Sequence, residues 1–260
     1  MNEFLKAASE AAKIAGDILR AYQSKFQTRE KRPRDLVTDA DEAAQHAIER
    51  FLKDRFPEHA FLGEESAAVV RQAARESGKL LWVVDPLDGT ANYVHGLSMF
   101  AVSIALVQGD RVLVGVVYDP MAGDLFTATA DGPALNNGRT IRSSDCREME
   151  YAMIAASFPA GVRRNDPEVE QFLKVLGDCQ SLRRLGSAAL NLCYVAQGSL
   201  DAYWASSVQT WDIAAGILIA QRAGAHCLDV SGEAFQLWNP RPLVTSTHEL
   251  QQELLACIRR

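Results

Sequence analysis

An apolar run that stops abruptly on two acids constrains this chain more than any other feature. Leu81-Trp82-Val83-Val84 leads straight into Asp85-Pro86-Leu87-Asp88-Gly89-Thr90. The run reads as a strand that delivers Asp85 to the edge of a sheet, where Pro86 fixes φ and turns the chain at once. Asp88 then comes back to face the same space. Gly89 lets the backbone approach an anion closely, and Thr90 offers a hydroxyl and an N–H, the latter aimed at the anion if a short helix begins here. A bare pair of acids three apart also suits an Asp-rich loop capping a helix. The full string of apolar strand, paired acids, glycine and threonine is much rarer.

The elements around this segment fall into two rhythms. Phe4, Leu5, Ala8, Ala12, Ala15, Ile18, Leu19 and Tyr22 share one helical face. A second helix starts at Thr38, with Asp41 reaching back as in a capping box, and turns Ala44, Ile48, Phe51 and Leu52 inward. Extended runs follow at 60–63, 80–85, 100–108, 111–118 and 125–129, with Gly109-Asp110 forming a hairpin. From residue 153 onward, strands alternate with helices at 167–176, 187–196, 211–223 and 248–258. That alternation predicts a sheet covered on both faces. The chain therefore divides into an N-terminal part, 1–145, of helices and a largely antiparallel meander, and an alternating α/β part, 146–260. The polar Ser143-Ser144-Asp145 stretch marks the join.

Composition removes several classes of function. The formal net charge is −6, which disfavours a general nucleic-acid binder. The one basic run, Arg29 to Arg34, is broken by Glu30 and Pro33 and reads as a solvated loop. Met1 to Tyr22 carry too many charges for a leader or a membrane span. Five scattered cysteines with no CxxC spacing suggest reduced thiols in a cytoplasm, and the five histidines show no metal-ligand spacing. His95, though close to the acids, reads as structural.

Two more acidic positions complete the pattern. Gly63-Glu64-Glu65-Ser66 closes a short strand, and Trp211-Asp212-Ile213-Ala214-Ala215-Gly216 opens a helix of small residues. Alone, Glu64 would be a surface residue and Asp212 a first-turn carboxylate favouring the helix dipole. The haloacid-dehalogenase phosphatases also place an acidic pair before Gly-Thr, but with one residue between the acids and near the start of the core domain. Here there are two, and over eighty residues precede them. With Asp35 to Asp41 and Gly186-Ser187-Ala188-Ala189, these segments instead resemble the inositol monophosphatase family, in the expected order and over about residues 4–250.

That resemblance implies the layered α-β-α-β-α sandwich of the inositol monophosphatase and fructose-1,6-bisphosphatase type. It implies Mg²⁺ cofactors, two or three ions with Mn²⁺ as a substitute, and sensitivity to Li⁺. Glu64, Asp85 and the Leu87 carbonyl would hold one ion, and Asp85, Asp88 and Asp212 a second. An all-oxygen ligand set without His or Cys agrees independently. Thr90, polarised by Asp41, would orient the attacking water with Glu64. The substrate side would comprise Asp88, Gly89, Thr90, Ala188 and Ala205. The implied reaction is hydrolysis of a small phosphate monoester without a phosphoenzyme, most readily inositol 1-phosphate, by a cytoplasmic homodimer with no membrane or direct nucleic-acid contact. Two departures stand out: Ala205 replaces the Glu that usually accepts the ring hydroxyls, and Ser98 replaces a frequent proline. Fructose 1,6-bisphosphate, histidinol phosphate and nucleotide 3′-phosphates are alternative substrates. A binding partner of the transcription or translation machinery is the alternative of another class.

Overall fold

The structure is a computed structural model that describes residues 2–23, 25–32, 35–64, 66, 78–159 and 161–259. Helix α1 (Asn2–Tyr22) is followed by strands β1 (Thr28–Arg32) and β2 (Asp35–Thr38), helix α2 (Asp39–Arg55), and strands β3 (Ala60–Gly63) and β4 (Leu81–Asp88). A one-turn helix α3 (Thr90–Val94) precedes β5 (Ala101–Gln108), β6 (Arg111–Asp119), β7 (Asp124–Thr129) and two short strands, β8 (Leu135–Asn136) and β9 (Arg139–Thr140). After a 3₁₀ turn (Met149–Tyr151) come β10 (Met153–Ser157), α4 (Pro167–Asp178), β11 (Ser181–Arg183), α5 (Ala188–Ala196), β12 (Ala202–Ala205) and α6 (Thr210–Arg222). Strands β13 (His226–Asp229) and β14 (Pro242–Thr245) and helix α7 (His248–Arg259) end the described chain.

Burial explains how these elements stack. In β4, Trp82 and Val84 face a cluster built from α1 and α2, including Ala8, Ala12, Leu19, Ala44 and Ile48. Leu81 and Val83, one residue out of phase, face a second cluster with α5 and α6. A strand buried on both sides has no reason to alternate polar with apolar residues, which is why this one does not. The second cluster also takes in Ala155, Tyr203, Ala205 and Val244 of the other sheet. That sheet's far face, with Ile154, Trp204 and Leu243, packs on Val175 of α4 and on Leu250 and Leu254 of α7. The order of layers is therefore α1/α2, seven-stranded sheet, α5/α6, five-stranded sheet, α4/α7, as the resemblance implies.

The seven-stranded sheet runs β3-β4-β5-β6-β7-β8-β9, antiparallel throughout except for the parallel β3–β4 pair. The five-stranded sheet runs β11-β10-β12-β14-β13, with β10 parallel to both β11 and β12. The basic run is corrected in part. Instead of a loop, Thr28–Arg32 forms a ribbon with β2, in which Thr28 faces Thr38 and Arg29 faces Val37. The pairing gives its backbone groups partners while Arg29 stays exposed and reaches Glu42 at 2.6 Å. Pro33 and Arg34 lie outside the described residues, as does Glu65. No described helix is long and apolar enough to cross a membrane. None of the five cysteines is in a disulfide, and Cys193 and Cys257 are buried.

Candidate active site

The acids meet because three separate pieces of chain end at the same place. Strand β3 runs parallel to β4 with Gly63 opposite Val84, and the Glu64 N–H continues the ladder to the Val84 carbonyl at 3.0 Å. Glu64 therefore stands beside Asp85. Asp85 is buried, and its Oδ1 accepts the Leu87 N–H at 2.9 Å, closing a turn around Pro86. The β4–β5 register slips between Asp85, opposite Ser103, and Asp88, opposite Ala101. That irregularity brings Asp88 back toward the space Asp85 faces.

Asp88 is held from a distant segment. Its Oδ2 accepts the Ser187 hydroxyl and the Ala189 N–H, the latter at 2.7 Å, at the start of α5. Ser187 is also the N-cap of that helix, accepting the Leu190 N–H at 3.2 Å. Ala188, expected on the substrate side, is buried as the first residue of α5. Asp212 arrives from α6, in the middle layer, with its Oδ2 accepting the Gln209 N–H at 2.8 Å. The Ser103 hydroxyl of β5 donates to the Trp211 carbonyl at 3.0 Å and so fixes the start of α6 against the sheet.

Burial and neighbouring carboxylates raise the pKa values of Asp85, Asp88 and Asp212. Asp85 is pushed well above the carboxylate range by burial first, then by Glu64, Asp88 and Asp212. Asp212 is raised by burial and then by Asp88. Asp88 reaches only about 6, because the hydrogen bonds from Ser187, Ala189 and Ala188 partly offset its burial. None of these three aspartates forms a salt bridge with a described Lys or Arg.

Beside the acids lies a hydroxyl with two acceptors. Thr90 Oγ1 is 3.3 Å from Asp41 Oδ1 and 3.1 Å from the Leu87 carbonyl. Asp41 is fully buried, and its Oδ2 accepts the Thr38 N–H at 2.8 Å and the Thr38 hydroxyl at 2.6 Å. This is the reach-back expected at the start of α2. Gly89 adopts φ +99°, where a side chain would be strained, and a Cβ would lie 2.9 Å from the Met99 carbonyl. Ala205 ends β12 opposite Ser157, buried and without a polar side-chain atom. His95 caps α3 at its C-terminal end and is exposed.

The description "Inositol monophosphatase family" matches residues 1–260. The chain belongs to the inositol monophosphatase family. It is 41% identical over 255 residues to inositol monophosphatase 2 of Solanum lycopersicum, covering 95% of each chain. To the Nus factor SuhB of Pasteurella multocida it is 38% identical over 259 residues, covering 98% of this chain and 95% of that one. Among solved structures, the extragenic suppressor protein suhB of Bartonella henselae superposes with a TM-score of 0.91 at 33% identity, covering 99% of both chains. The inositol monophosphatase from Anabaena gives 0.85 at 31%, covering 100% of this chain and 96% of that one. As a member of the inositol monophosphatase family the chain is a phosphoric monoester hydrolase. The sequence pattern marks the acids of this site but not the groups that seat them. Ser187 lies in the Gly186–Ala189 segment that shares in the resemblance, though nothing in the pattern pairs it with Asp88, and Ser103 lies within an apolar strand with nothing to mark it.

Proposed function

We propose that this enzyme hydrolyses small phosphate monoesters with Mg²⁺, most readily inositol 1-phosphate. The observation that carries the reading is Glu64, Asp85, Asp88 and Asp212 gathered from three segments, with three of them raised in pKa by burial and by one another. Among the described residues no three acidic, His or Cys side chains close around one point as a ready-made ion cage. The fit to a cation is therefore one of donor chemistry: Asp85 and Asp88 are buried carboxyl oxygen donors without a Lys or Arg partner among the described residues, and a hard dication would take the place of their protons. Glu64, Asp85 and the Leu87 carbonyl would hold one ion, and Asp85, Asp88 and Asp212 another. Bound there, such ions lower the pKa of water and neutralise charge on the phosphoryl group.

The chain's own groups then do the positioning. Thr90 has one hydroxyl hydrogen and two candidate acceptors. If the Leu87 carbonyl is taken up by an ion, that hydrogen would go to Asp41 Oδ1, since a carboxylate is a stronger acceptor than a carbonyl. The Thr90 oxygen is left with lone pairs facing out, ready to accept a hydrogen from water and aim it with Glu64. Gly89 and Thr90 present their N–H groups to the phosphate oxygens, and the left-handed φ of Gly89, packed on the Met99–Phe100 backbone, shapes the turn that carries them.

Phosphate release from inositol 1-phosphate, fructose 1,6-bisphosphate, histidinol phosphate and a nucleotide 3′-phosphate, in Mg²⁺ and in excess chelator, tests this reading. Turnover in Mg²⁺ and none in chelator is expected; full turnover by demonstrably metal-free protein would sink the metal reading. Ala205→Glu tests the alcohol side. A hydrogen bond to a charged acceptor contributes about 1.5–3 kcal/mol, so kcat/KM for inositol 1-phosphate should rise about tenfold to a hundredfold relative to glycerol 2-phosphate. An unchanged ratio would remove position 205 from substrate recognition. The resemblance also supports a cytoplasmic homodimer. The similarity to relatives named Nus factor supports a second reading, a contact with the transcription machinery, which binding to purified transcription complexes would test.

A further inference from the structure

We propose that Asn92 is a positioning residue that locks together the two walls of the phosphate-binding turn; the inference rests on the phosphatase reading above. Its Nδ2 donates to the Met99 carbonyl and to the Leu185 carbonyl, both at 2.7 Å. Only the NH₂ side of an amide can face two carbonyl oxygens, so the chemistry fixes its orientation and engages both of its hydrogens. Asn92 lies on α3, two residues after Thr90, and its own carbonyl accepts the Leu97 N–H at 2.9 Å.

Each partner holds a different part of the site. The Met99–Phe100 backbone is the surface on which Gly89 rests, since a Cβ on Gly89 would lie 2.9 Å from the Met99 oxygen and 3.3 Å from Phe100 Cα. Leu185 is two residues before Ser187, whose hydroxyl holds Asp88 together with the Ala189 N–H. Gly186, between them, adopts φ +90°, and a Cβ there would fall 2.6 Å from Asn92 Nδ2. The glycine is what allows this segment to close onto the amide. One side chain thus ties the turn carrying Gly89 and Thr90 to the segment that sets Asp88, and its hydrogen bonds go to the Met99 and Leu185 carbonyls and not to the acids.

Asn92→Ala removes both bonds. Asn92→Asp keeps the shape but turns a carboxylate toward two carbonyls. Gly186→Ala attacks the same clamp from the other side. In all three, kcat should fall by about tenfold to a hundredfold, the scale of a small misplacement at a reacting centre, with KM changed by less than about threefold. Mn²⁺ binding to the protein, followed by electron paramagnetic resonance without substrate, should weaken by a similar factor. Hydrogen exchange of the Ala189 amide should quicken. A lower melting temperature with unchanged kcat and Mn²⁺ affinity would make Asn92 a mere brace of the fold and overturn the inference. So would an Asn92→Asp enzyme that behaves as wild type. If wild type neither turns over nor binds Mn²⁺, the phosphatase reading fails instead, and Ala189 exchange alone decides whether Asn92 sets the Asp88 segment.

Discussion

At the scale of single residues, the hydroxyl of Thr90 separates chemistry from packing most cleanly. Its neighbour Asp41 is buried and shared between two jobs: Oδ2 caps α2 through Thr38, and Oδ1 faces Thr90. Thr90→Ala should lower kcat by about a hundredfold, the loss typical of removing one preorganised polar group, while KM and melting temperature stay near wild type. Thr90→Ser keeps the hydroxyl and should keep most of the rate. Asp41→Asn should lose both rate and stability, because an amide is a poorer acceptor from Thr90 and disturbs a cap that contributes about 1 kcal/mol. Steady-state kinetics with thermal melts of the three variants check the pattern. A Thr90→Ala enzyme with the wild-type kcat would take the hydroxyl out of water positioning.

At the scale of elements, the seat of α6 decides where Asp212 lies. Gly115 in the middle of β6 has no side chain because α6 crosses there: a Cβ would stand 2.7 Å from the Ala215 carbonyl, a backbone atom that cannot swing aside. A lone glycine inside an apolar strand pattern is a legible sign of such an approach, though the sequence does not say what approaches. Gly115→Ala should destabilise the protein by about 1–3 kcal/mol, as overpacked cores do, lowering the melting temperature by about 2–4 °C for each kcal/mol. Because α6 would be lifted from the sheet, the Mg²⁺ concentration for half-maximal activity should rise as well. A variant that melts like wild type would show that β6 and α6 have slack between them. The long elements were readable for the same packing reasons. Helix α5 is apolar nearly all round because it lies between two sheets, and β4 lacks alternation because both its faces are covered. The β1–β2 ribbon was not readable, since its charged strand Thr28–Arg32 carries no apolar period.

At the scale of the whole molecule, the site forms only when the layers assemble, and this limits what any local pattern reveals. The paired acids and the glycine of β4 and α3 announce themselves within six residues. Ser187 bonds Asp88 across 99 positions and Ser103 bonds Trp211 across 108, so neither contact leaves a local trace. Assembly also concentrates negative charge in the core, with a consequence for stability. Burial raises Asp88 from the ordinary carboxylate value of 3.8 to about 6. A raised folded-state value favours the protonated form, so its contribution is fully present below the unfolded value and is lost as pH climbs through about 6. For Asp88 alone, the loss by pH 8 is on the order of 3 kcal/mol, and Asp85 and Asp212, also raised, act in the same direction. In chelator, the melting temperature should therefore fall between pH 5 and pH 8, by more than in saturating Mg²⁺, which offsets the ionised charge. Asp88→Asn keeps an oxygen for Ser187 and Ala189 but carries no charge. At pH 8 it should melt higher than wild type in chelator and gain less from Mg²⁺. Thermal melts of both proteins across that pH range, with and without Mg²⁺, decide the matter. If the chelated wild type grows more stable with rising pH while Asp88→Asn melts below it, the acids are not in mutual repulsion, and the case for a cation among them loses its physical basis.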